Sequence, residues 1–121
     1  MGTLELTLGE KQRIFTKCLG QLIEFVYSHP GWTMTMAEGY IGDSIDKPGE
    51  DTPHIRTGNH FKRLAIDLNL FVWGKWITDS LDPVWMEIGA YWESLHPSAR
   101  WGGRFTKVDG NHFSFYHDGK A

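Results

Sequence analysis

The 121-residue chain has one cysteine, no excess of basic residues and no long apolar run. Each absence excludes something. Cys18 stands alone and cannot form an internal disulfide, so the disulfide scaffold of small secreted domains is excluded. Twelve Lys and Arg against fifteen Asp and Glu give a net charge of −3. The positive field that grips a phosphate backbone is missing, and no nucleic-acid partner is expected. No segment approaches the roughly 18–20 apolar residues of a membrane span, and no membrane insertion is expected. Met1-Gly2-Thr3-Leu4-Glu5 lacks the basic-then-apolar order of a secretory signal. The expectation is a chain made in a cytoplasm. With no repeat, linker or low-complexity stretch, the length fits one domain over 1–121.

Aromatic residues, by contrast, are plentiful. They make up 14% of the chain and include six tryptophans. Each such ring can bury ~150–250 Å², which a small core needs. Thr7-Leu8-Gly9-Glu10 has the form of a capping box. Beyond it Ile14, Phe15, Cys18, Leu19, Leu22, Phe25 and Val26 recur at helical spacing, which predicts a helix over Leu8–Ser28 stopped by His29-Pro30-Gly31. Cys18 lies on that apolar stripe as a small core residue. Thr33–Ala37 alternates as a strand. Ile41–Gly58 reads as a long Gly-, Asp- and Pro-rich loop. Leu64–Phe71 alternates again, with Leu64, Ile66, Leu68 and Leu70 facing inward and Ala65, Asp67 and Asn69 outward. A hairpin is predicted to turn at Gly74-Lys75. Asp82-Pro83 starts a second helix that runs to Leu95 with Trp85 and Trp92 in the core. Trp101–Phe105 is read as a Gly-rich turn and Phe113–Tyr116 as a last strand. This order argues for an α+β fold with a small antiparallel sheet.

The sharpest chemical signal is His60, Asp67 and Asp109-Gly110-Asn111-His112. His60 precedes the strand that carries Asp67 on its polar face, and His112 begins a strand that can lie beside it. Two imidazoles and a carboxylate, with a fourth position left to water, suit a catalytic zinc. Asp109 can then stand beside the water without ligating the metal. Spacing alone also fits surface or capping histidines and a solvated strand carboxylate. Against that, an ionised Asp67 between Ile66 and Leu68 needs a partner if it is covered.

His60-Phe61-Lys62-Arg63-Leu64-Ala65-Ile66-Asp67 resembles the H-x-x-G-x-A-x-D motif of the M15 metallopeptidases, the D-Ala-D-Ala carboxypeptidase and VanY-like family. Trp101-Gly102-Gly103-Arg104-Phe105 followed by Asp109-Gly110-Asn111-His112-Phe113 resembles that family's W-G-G-x-[FW]…D-x-x-H-[FW] ending. The segments at 64–71 and 91–97 are similar to small phage-type members that act as endolysins. The resemblance implies a Hedgehog/D-Ala-D-Ala-peptidase-like sheet flanked by helices, with Zn²⁺ held on the sheet by His60, Asp67 and His112. It implies hydrolysis of a peptidoglycan stem peptide, L-Ala-D-Glu before D-Ala-D-Ala, by a monomer released to the cell wall during lysis. Zinc there acidifies a water and polarises the scissile carbonyl, and Asp109 serves as general acid/base.

Two departures stand out. Arg63 occupies the family's usual glycine position, as in phage-type members. Ile41 follows Glu38-Gly39-Tyr40, where relatives carry an arginine that helps hold the substrate's oxyanion. An apolar side chain cannot donate, and losing such a donor can cost ~10²–10³ in rate. Arg56 or His54 can substitute as substrate-binding residues, with Trp101 as a wall of the site. Two other classes remain open. One is a zinc-containing cell-wall binding module with weak turnover, of the kind the Hedgehog signalling domain illustrates. The other is a metal-dependent nuclease, which the net charge disfavours.

Overall fold

The computed structural model describes residues 6–38 and 62–121. Helix α1 (Leu8–Tyr27) starts at the expected capping box. The Glu10 N–H donates to Thr7 Oγ1 at 3.2 Å, and the Thr7 N–H donates to Glu10 Oε1 at 3.0 Å. Phe15, Cys18, Leu22 and Val26 form its buried stripe. Burial pushes the Cys18 thiol pKa up, as befits a core side chain rather than a nucleophile.

The chain continues through β1 (Trp32–Glu38), β2 (Ala65–Val72), β3 (Lys75–Trp76), α2 (Pro83–Ser94), β4 (Ala99–Trp101), a 3₁₀ turn (Gly102–Arg104) and β5 (His112–Phe115). The sheet runs β1-β2-β5-β4, with β3 also on β2, and every pairing is antiparallel. This is the expected α+β class. Asp82 caps α2 by accepting from the Val84 N–H at 3.0 Å, and Pro83 fills the first helical turn, where its missing N–H costs nothing. Among the described residues no helix is long and apolar enough to cross a membrane.

Strand β2 organises the sheet. Asp67 pairs with Glu38 on one side and His112 on the other, and Phe71 pairs with Thr33 and Trp76. One edge of β2 therefore belongs to β1. The other is shared by β5 at its start and β3 at its end. Period-two alternation sends Ile66, Leu68 and Leu70 into the core, and Phe113 opposes Ile66 there. Ala65 was expected to face outward but is buried. The core centres on Trp92, whose ring meets Phe15 edge-on at 5.5 Å and Phe113 at 5.9 Å. Its Nε1–H is shared between the Arg100 carbonyl at 3.0 Å and the Ser114 carbonyl at 3.2 Å. One side chain thus ties α2 to both β4 and β5.

Several expectations need correction. The hairpin turns one residue early, at Trp73-Gly74, with Val72 opposite Lys75. Both central residues have positive φ, 50° and 80°. Glycine takes the second central position of a turn whose twist matches the strands. Strand β4 was not foreseen, because three residues are too few to display a period. His96 Nδ1 accepts from the Ser98 N–H at 3.0 Å, and burial, helped by Lys11, pushes its pKa down. Lys11 Nζ donates to the Tyr116 carbonyl at 3.0 Å, and His117 bridges to Lys120.

This packing makes a ranked prediction for urea unfolding. Trp92→Ala is expected to lose about 3–5 kcal/mol, and Thr7→Ala about 1 kcal/mol. Equal losses would contradict the central place given to Trp92.

Candidate metal centre

Directly opposed residues of an antiparallel pair share a face, with Cβ atoms ~4.5–5.5 Å apart. The pairing of Asp67 with His112 therefore brings a carboxylate and an imidazole together. His112 Nδ1 and Asp67 Oδ1 are 3.1 Å apart, and the two side chains are only 10% and 17% exposed. On the far edge a β-bulge between Met36 and Glu38 lies opposite the same stretch of β2. Bulges recur beside sites because they re-aim the strand. The Phe105 ring covers the imidazole at 5.4 Å.

Asp109 arrives on the loop before β5, and that loop is clamped from several directions. The Asp109 N–H donates to the Gly102 carbonyl at 2.9 Å, and the Asn111 carbonyl accepts from the Leu68 N–H at 3.0 Å. The Gly110 carbonyl accepts from Trp101 Nε1 at 2.7 Å, and the Gly110 N–H donates to Ser80 Oγ at 2.9 Å. Ser80 was not singled out from sequence, since a serine in a polar loop carries no signal of its partner. The glycines after Trp101 have a steric reason. A Cβ at Gly102 would collide with the Asp109 carbonyl oxygen and with His112 Cβ, and one at Gly103 would enter the Trp101 ring.

Of the residues read as site residues, the structure brings Asp67, Asp109 and His112 together. One ligand atom from each lies within 4.8 Å of the others. His60, His54, Arg56 and Ile41 lie outside the described residues. Trp101 was expected to form a wall contacting substrate. It is 3% exposed, with its indole seated against Gly89 and Gly103. It reaches the site through the loop it holds, by its bond to Gly110.

The donor set suits zinc. One imidazole and two carboxylates offer nitrogen and oxygen, and the buried Cys18 lies on the α1 stripe rather than in this group. Ligand atoms on a tetrahedral ion with bonds of about 2.0–2.1 Å are roughly 3.3–3.4 Å apart. The observed 3.1 Å between His112 and Asp67 is close to that edge.

The clamp can be tested by a methyl group. Gly102→Ala is expected to weaken zinc binding about 10–100-fold, as loss of outer support does. Competition against a chelating dye reads the affinity, and circular dichroism reads the fold. Unchanged affinity in a folded variant would mean that Gly102 does not position the site.

Residues 51–115, more than half of the chain, match the M15 peptidase family described as D-alanyl-D-alanine carboxypeptidase. The matched stretch spans both motifs read from the sequence and all of His60, Asp67, Asp109 and His112. No individual curated protein gives a match. With Asp67, Asp109 and His112 of the matched stretch brought together, the chain belongs to the M15 peptidases, a family that acts on peptidoglycan.

Proposed function

We propose that the chain is a zinc-dependent peptidoglycan endopeptidase of the phage endolysin type, cutting the L-Ala-D-Glu bond of the stem peptide. In this reading His60, Asp67 and His112 hold the ion, and Asp109 is the general acid/base. The observation that carries it is the Asp67–His112 pair with Asp109 held beside it on a clamped loop. Bound zinc supplies a water acidified toward neutral pH and a Lewis acid for the scissile carbonyl.

The chain's own residues supply position and proton transfer. Asp67 and His112 are fixed by strand register, so their donor atoms need little reorganisation when the ion binds. An Asp109 carboxylate oxygen takes the proton of the attacking water and returns it to the leaving amine. The loop bonds from Gly102, Trp101 and Ser80 hold that carboxylate's backbone in place. Rigid support of this kind keeps a general base within hydrogen-bond reach.

The family description favours a second reading, removal of the terminal D-Ala. Digestion of isolated peptidoglycan with and without zinc, read by mass spectrometry, separates the two. New amino termini at D-Glu are expected, and release of D-Ala alone would move the assignment to the carboxypeptidase. Zinc bound without any cleavage would favour a binding module and point to Ile41. Asp109→Asn is expected to lower kcat by about 10²–10⁴ while zinc content stays at the wild-type level. Loss of zinc from this variant would make Asp109 a ligand instead.

A further inference from the structure

The sheet face that carries the metal residues continues past them. Asp67, Asn69 and Phe71 alternate onto it, and Trp76 joins by pairing with Phe71. Between Asp67 and Phe71 the edge of β2 loses one partner before gaining the next. Asn111 accepts from Leu68, and Ile77 then donates to Leu70. Where β5 and β3 diverge, a cleft of about 180 Å³ opens, with Leu68 and Trp85 among its lining. Asn111, bonded to Leu68, and Trp76, paired with Phe71, mark its two ends along β2, and Asn69, Thr78, Ser80 and Asp109 also line it.

We infer that this cleft is a subsite for the N-acetylmuramyl sugar at the amino end of the stem peptide, with Trp76 as its stacking platform. The inference rests on the endopeptidase reading and sharpens it.

The wall chemistry fits a neutral sugar. Amides and hydroxyls offer donors and acceptors for an acetamido group and ring hydroxyls. Among the described residues that line the cleft there is one acid, Asp109, and no cationic side chain. A glutamate or diamino-acid carboxylate would find no counter-charge among those residues. Trp76 is 56% exposed and is backed by Phe71, with ring centroids 6.5 Å apart and planes 23° from parallel. A braced, exposed indole suits the apolar face of a pyranose. Trp73 is also exposed, but its ring lies over Gly31 at the far side of the turn, and it is not among the cleft residues.

Distance selects the bond. Asp67 and Phe71 are four residues apart on β2, about 13 Å along the strand. An extended chain covers ~3.3–3.6 Å per residue. When the bond after L-Ala is cut, one alanine and one lactyl unit separate it from the sugar, about 7 Å. The sugar then falls between Asp109 and Trp76. When the terminal D-Ala bond is cut, four residues and the lactyl unit intervene, about 17 Å when extended. That would carry the sugar beyond Trp76.

The test is a titration of the zinc-loaded protein with N-acetylmuramyl-L-alanine, and with N-acetyl-L-alanine as the sugar-free control, followed by the indole N–H resonances. The muramyl compound is expected to shift the Trp76 signal saturably, and the control is not. Trp76→Ala is expected to weaken muramyl binding about tenfold. Trp73→Ala should bind as the wild type does. Equal binding by Trp76→Ala and wild type, or no saturable shift at Trp76, overturns the subsite. A parallel digest of a sugar-free stem peptide keeps the two ideas apart. Cleavage without Trp76-dependent muramyl binding removes the subsite and leaves the peptidase. Trp76-dependent binding with no cleavage of any stem peptide supports the sugar site and overturns the endopeptidase.

Discussion

The site depends on one strand register. Asp67 and His112 are 45 residues apart in sequence and directly opposed across β2 and β5. Slipping this pair by one residue would turn every side chain of one strand to the other face. His112 would enter the core, and Phe113 would meet Asp67. The apolar residues enforce the register from the opposite face. Ile66 and Phe113 form a buried pair, and Trp92 packs on Phe113. The hydrophobic core thereby decides which polar groups meet on the other side of the sheet.

The loop before β5 is the second constraint, and it is built largely from backbone. Gly102 permits an approach that any Cβ would block, Trp101 Nε1 donates to the Gly110 carbonyl, and Ser80 Oγ accepts from the Gly110 N–H. This explains in steric terms why a tryptophan followed by two glycines precedes the aspartate and histidine. The tryptophan fills space against α2, and the glycines let the chain turn over its ring. None of these residues needs to touch a substrate to matter for one.

Much of this was legible in the sequence. The capping box, both helices and the inward set on β2 follow from local periodicity, because helix and strand repeats act over a few residues. The choice of Asp67 and His112 followed from residue type and motif, and their contact needed only the last strand to lie beside β2. Other features depended on contacts between distant segments. Strand β4 exists through its partner β5, and Ser80 matters through a backbone amide thirty residues away. Trp101 reads as a wall of the site because the two glycines beside it allow close backbone approach. Its neighbours Gly89 and Gly103 make a slot for it instead, and a slot between a helix and a turn leaves no periodic trace. The exposed Trp76 shows the opposite case, since a ring in a hairpin reads the same whether it packs or waits for a ligand.

The measurement that tests the central claim most directly is a calorimetric zinc titration of the wild type beside Asp67→Ala and His112→Ala. The account predicts one zinc per wild-type chain and loss of tight binding in both variants, with the fold retained. Wild-type affinity in either variant would contradict it, because the register that opposes these two residues would then not be what builds the metal site.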